Sequence, residues 1–137
     1  MLALSLVVLG LLLAAAGLGL SALLGWLRSK GSPPAARTAV HVVVQLAGIA
    51  LWGVFTATGS VAGAWTAFVV ITVGQVFGDL LMLASYRGRL GAAARPGYAA
   101  PAADVLSFRR PVAALHALVG AAGWFTMLAA CIVASIA

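Results

Sequence analysis

Five strongly polar side chains lie deep enough in the apolar stretches of this 137-residue chain to matter: His41 and Gln45, Gln75 and Asp79, and His116. These are the groups with chemistry to offer. Imidazole binds metals and carries protons, and ionisable groups inside lipid mark ion and substrate paths. His41 and Gln45 are four residues apart, as are Gln75 and Asp79, so each pair shares one helix face. Much other chemistry is excluded. The chain has only two acidic residues, too few for paired-carboxylate hydrolysis or carboxylate-clamped magnesium. It has no Walker loop, HExxH or GxSxG. Its single cysteine, Cys131, rules out disulfide exchange between cysteine pairs and reads as a small packing residue. An enzyme acting alone is not expected.

Two histidines on different helices suggest axial ligation of one haem iron by two neutral imidazoles. At ~1.5 Å per residue, His41 lies roughly 6 Å past Arg37 and His116 roughly 9 Å past Arg110, so their depths differ little. Arg37, Arg109 and Arg110 stand just above, placed to meet haem propionates through charge-assisted bonds. Gly48, Ala113, Ala114 and Ala117 would leave room for the ring. In this arrangement the chain is similar to membrane cytochromes of the bis-histidine type. The resemblance is two residues and a topology rather than a motif, and it implies haem b held by His41 and His116.

Other readings use the same residues. Gln45, Gln75, Asp79 and the histidines are expected to form a polar cluster between the second, third and fourth spans, which by itself would fix helix register. A carboxylate at a helix centre in lipid costs about 2.5–3.5 kcal/mol on translocon scales, and less at the depth of Asp79, so Asp79 should be paired, protonated or wetted. Proton or cation transport through Asp79 and the histidines is one alternative, and a His–Asp–His zinc site is another. The chain resembles small multidrug transporters in span number, but those use an acidic residue in the first helix, where this chain has none.

The elements that must position these groups follow from composition. Hydrophobic residues make up 64% of the chain and charged ones 7%, against ~25% charged in soluble domains. A chain this short could not hide so much apolar surface from water. Four stretches reach the ~20 residues needed to cross a bilayer: about 1–27, 39–58, 61–86 and 111–137. They do not alternate as barrel strands would, so helices are expected. Every basic residue falls in 28–37 or 87–110. With four spans those loops share one side, which the positive-inside rule makes cytoplasmic, and both termini lie outside. The first stretch has no preceding positive charge and is too long for a signal-peptide core, so it is expected to remain as a helix.

Loop 28–37 reads as a stiff turn, with Gly31, Pro33 and Pro34. Loop 87–110 is dominated by Gly, Ala and Pro in its first half and is expected to form no core. Its second half is read as an ordinary entry to the fourth span or a short interfacial segment. Trp26, Trp65 and Tyr86 suit the interface, while Trp52 and Trp124 lie deeper and need partners for their indole N–H groups. Small-residue stripes, Gly17–Ser21–Gly25 and Gly74–Gly78, read as packing seams or as a face for a membrane partner or second copy. No internal repeat is evident. The net charge of +6 is a topology signal and a match to anionic lipid, not a nucleic-acid footprint. The expectation is an all-α, four-transmembrane-helix bundle forming a single domain in the cell membrane, from a GC-rich bacterial genome by its Ala/Gly/Val/Arg bias. Its expected role is an accessory or scaffold subunit against larger membrane partners, with the haem carrier as the alternative.

Overall fold

A computed structural model of the protein describes residues 1–28 and 35–136. The described residues form five helices: α1 (Leu2–Arg28), α2 (Ala35–Thr58), α3 (Val61–Leu90), α4 (Ala99–Leu106) and α5 (Pro111–Ile136). A 3-10 turn at Gly91–Ala93 follows α3, and no strand occurs among the described residues. Helices α1, α2, α3 and α5 are each long and apolar enough to cross a membrane. Leu6, Leu13, Leu46, Val69 and Phe125 are all more than half exposed. Water would penalise such a surface, whereas lipid tails match it.

The fifth helix corrects the expectation of four. The expected turn at 28–37 falls largely on residues 29–34, outside the described residues. Helix α4 lies within loop 87–110, whose first half was expected to form no core. Ala99, Ala100, Ala102 and Ala103 are strong helix formers, and Pro101 occupies the first turn, where its missing N–H costs nothing. Pro101 and Val105 are buried, so this short amphipathic helix folds because it docks. Helix α3 also runs four residues further than expected. Arg87 and Arg89 suit its last turn, and Gly91 ends it at φ 52, a conformation other residues resist. At its other end, Ser60 caps α3 by accepting from Gly63 N–H at 3.2 Å.

Helix α1 packs closely on α5 and α2 on α3, making two layers, which meet through α1–α2 and α3–α5. Helices α2 and α5 therefore lie on one diagonal of the bundle, and α1 and α3 on the other. The core contains Val8, Leu12, Trp52, Phe55, Ala64, Ala67, Ile71, Met127 and Ala130.

A repeat is hidden in this core. A constant shift of 59 residues carries the buried Ser5, Val8, Leu12 and Ala15 of α1 onto the buried Ala64, Ala67, Ile71 and Gly74 of α3. A shift of 75 carries the buried Gly48, Trp52 and Phe55 of α2 onto the buried Gly123, Met127 and Ala130 of α5. The same shift carries His41 onto His116. Residues 41–48, HVVVQLAG, and 116–123, HALVGAAG, share His, Val, Ala and Gly at matched positions. Contacts repeat as well: Gly48 faces Ile71, and Gly123 faces Leu12. The bundle is thus a pseudo-twofold pair of helix hairpins, α1–α2 and α3–α5, with α4 and its flanks added to the second.

Candidate intramembrane histidine site

His41 enters from α2 and His116 from α5, across the diagonal. Their rings meet inside, with centres 6.2 Å apart and planes at 86°. Both side chains are half-buried. His41 Nδ1 lies 2.8 Å from the carbonyl oxygen of Gly74 on α3. His116 Nδ1 lies 2.8 Å from that of Ala15 on α1. A carbonyl oxygen only accepts, so each Nδ1 carries the proton and donates it. In a neutral imidazole that leaves the Nε2 lone pair free in both rings, the arrangement of a metal-ligating histidine held by a backbone carbonyl.

Each ring also rests on a glycine one helical turn beyond its carbonyl. A Cβ on Gly78 would come 3.0 Å from His41 Cε1, and one on Gly19 would come 2.9 Å from His116 Cε1. Ala15 and Gly74 are equivalent under the repeat, as are Gly19 and Gly78. The two sockets are therefore two copies of one device. Each histidine is held by the layer-mate of its own helix, and the rings meet between the layers.

Sequence reasoning missed half of this site. Helix α1 offers no strong polar side chain and reads as closing the bundle or facing a partner, yet its Ala15 carbonyl and Gly19 hold His116. A backbone carbonyl has no side-chain signature. The available signal was the pairing of two histidines with two small-residue steps, Ala15–Gly19 and Gly74–Gly78.

The other expected residues are spread more widely. Gln45 packs against Gly74, where a Cβ would lie 2.8 Å from Gln45 Cδ. Gln75 Nε2 donates to the Gly120 carbonyl at 3.4 Å. Asp79 accepts from the Tyr98 hydroxyl at 3.2 Å, joining α3 to the start of α4 rather than to a histidine. Among the described residues, no three His, Cys, Asp or Glu side chains gather as a metal site. Arg110 pairs with Asp104 at 2.7 Å, and Asp104 also takes Arg89. Arg109 lines a recess beside α4. Arg37 is exposed on α2, one turn before His41, and makes no ion pair among the described residues. Gly74 and Gly78 face inward onto Gln45 and His41, while Gly17 and Gly25 face open space.

The deeper tryptophans find partners. Trp52 Nε1 donates to the Ser5 carbonyl at 3.0 Å, and Trp124 Nε1 to Thr72 Oγ1 at 2.9 Å. Tyr98 lies outside the spans. Burial, then the charge and hydrogen bond of Asp79, push its phenol above the ordinary value.

No known protein family, curated protein or solved structure matches this chain.

Proposed function

We propose that this protein is a small membrane carrier of b-type haem, with His41 and His116 as the two axial ligands and one-electron transfer as its task. The observation that carries the reading is the paired imidazoles, each with Nδ1–H fixed on a carbonyl and the two ring centres 6.2 Å apart. Two facing imidazoles with Nδ1 protonated would each offer Nε2 to one metal held between them. Two protein ligands are too few for a structural zinc site, which takes four. They suffice for haem, where the macrocycle supplies the remaining donors.

The residues divide the work. Ala15 and Gly74 hold each ring in the tautomer whose Nε2 can ligate. Gly19 and Gly78 let the rings lie against the helices. A ligand with two equivalent faces suits a site with pseudo-twofold symmetry. Arg37, which makes no ion pair among the described residues, is the arginine best placed to meet a propionate. A bound haem would supply the one-electron chemistry, and His41 and His116 would be the residues that hold it.

The accessory role rested on exclusion. The open face of Gly17 and Gly25 favours it as a companion reading, in which a membrane partner docks there and exchanges electrons. Asp79 accepts from Tyr98 rather than from a histidine, which favours the transport reading less. Titration of the purified chain with haemin tests the proposal. One haem per chain, with a six-coordinate low-spin spectrum that carbon monoxide does not alter, is expected. Binding without saturation, or a five-coordinate spectrum, contradicts it.

A further inference from the structure

A second site lies at the basic end, outside the histidine pair and independent of the haem reading. The end of α3, helix α4 and the segments on either side of α4 line an open recess of about 350 Å³, with Tyr86, Arg95, Asp104, Ser107 and Arg109 among its residues. That volume lies within the ~300–1,000 Å³ range of small-molecule sites. Its charge is strongly one-sided. Asp104, its only acid, is already engaged by Arg89 and Arg110. Arg95 and Arg109 line the recess and make no ion pair among the described residues.

The buried wall is polar. Tyr86 is only 6% exposed, and its hydroxyl oxygen accepts from the Arg95 backbone N–H at 3.4 Å. That leaves the hydroxyl proton free to donate toward the recess. Apolar groups share the lining: Leu90, Ala100 and Ala103 belong to it, and Leu90 is exposed. Cationic donors beside exposed apolar surface, at the end of four apolar helices, match a lipid with a negative headgroup and acyl chains. Basic pockets between spanning helices on the cytoplasmic side bind such headgroups.

We infer that this recess binds the phosphate of an anionic phospholipid, with Arg95 and Arg109 as the cationic contacts, the Tyr86 hydroxyl as a neutral donor, and Leu90 against the acyl region. Arginine suits the role because its planar fork meets phosphate oxygens in pairs.

Arginine modification by phenylglyoxal tests this on the unaltered protein. The chain is reconstituted in vesicles of dioleoylphosphatidylglycerol or of dioleoylphosphatidylcholine, and in detergent with inorganic phosphate, and modified residues are read by peptide mass spectrometry. The expected result is protection of Arg95 and Arg109 by phosphatidylglycerol alone, with Arg87, outside the recess, reactive in every case. Equal protection of all three arginines would reduce the effect to surface charge and overturn the inference. Protection by inorganic phosphate at the same level would assign the site to a soluble anion and overturn the lipid. In native mass spectrometry, Arg95→Gln with Arg109→Gln should cut retained phosphatidylglycerol by at least about tenfold, and Arg87→Gln should not. Unchanged retention in the double variant would also overturn it.

Discussion

The imidazole of His41 stands almost perpendicular to that of His116, 6.2 Å away between ring centres, although their helices lie on a diagonal of the bundle. Neither ring reaches the other by accident of side-chain freedom. Each is fixed by a carbonyl of its own layer and packed on a glycine of its own layer. The pair is therefore built from two equivalent halves, and the consequences can be examined half by half.

The glycine sockets come first. A Cβ on Gly19 or Gly78 would press on the ring at 2.9 or 3.0 Å. Gly78→Ala should displace His41, and Gly19→Ala should displace His116. Loss of support around a metal ligand typically costs about 10–100-fold in affinity. Haemin titration should show losses of that order for either variant, while Gly17→Ala, with open space around it, should bind as the parent does. Equal affinity in all three would remove the sockets from the mechanism.

The repeat makes a contrast in stability. A Cβ on Gly48 would lie 2.6 Å from Ile71 Cδ1, whereas one on Gly123 would meet Leu12 Cδ2 at an ordinary 3.5 Å. Gly48→Ala should destabilise the bundle by about 1–3 kcal/mol, the usual cost of overpacking. Gly123→Ala should be close to neutral. Unfolding from mixed micelles by increasing denaturing detergent would rank them, and the reverse order would show that the core contacts are misplaced.

Tyr98 provides a pH test outside the spans. Burial and Asp79 both favour its neutral phenol, so its folded value lies above the ordinary 10.0. The sign follows: the stabilising effect is complete below the unfolded value and fades as pH rises through the folded one. The α3–α4 contact should hold at neutral pH and release only in strong alkali. Tyrosinate absorbance of the parent minus that of Tyr98→Phe isolates this group from Tyr86. A midpoint at or below 10.0 would show that Tyr98 does not face Asp79.

Asp104 ties α4 down through Arg89 and Arg110, with all three side chains partly exposed. Exposed pairs contribute about 0–1 kcal/mol each. Asp104→Asn should therefore leave overall stability nearly unchanged while increasing amide exchange in residues 99–106. Faster exchange throughout α2 or α5 would mean that α4 supports the bundle more than this geometry implies.

Much of this arrangement was legible in the residues. Apolar length alone marked the four spans, and helical rise placed His41 and His116 at similar depth. The partners of those histidines were not legible, because Ala15 and Gly74 act through backbone oxygen. Asp79 was expected near a histidine. It meets Tyr98 instead, because alanines in the long loop form α4, which docks on α3, and periodicity cannot foresee a docking register. The repeat escaped notice because its shared residues, apart from histidine, are the small and apolar types that crowd any membrane helix. It emerges when burial is compared position by position, as in Gly48 with Gly123 and Leu12 with Ile71.

The decisive measurement is the optical spectrum of His41→Ala and His116→Ala after haem loading, taken beside the parent. Equivalent sockets should make the two losses alike: each variant should forfeit the six-coordinate low-spin bands, and added free imidazole should restore them. A parent that takes up no haem, or variants that keep the six-coordinate bands unchanged, would show that the facing imidazoles serve another purpose.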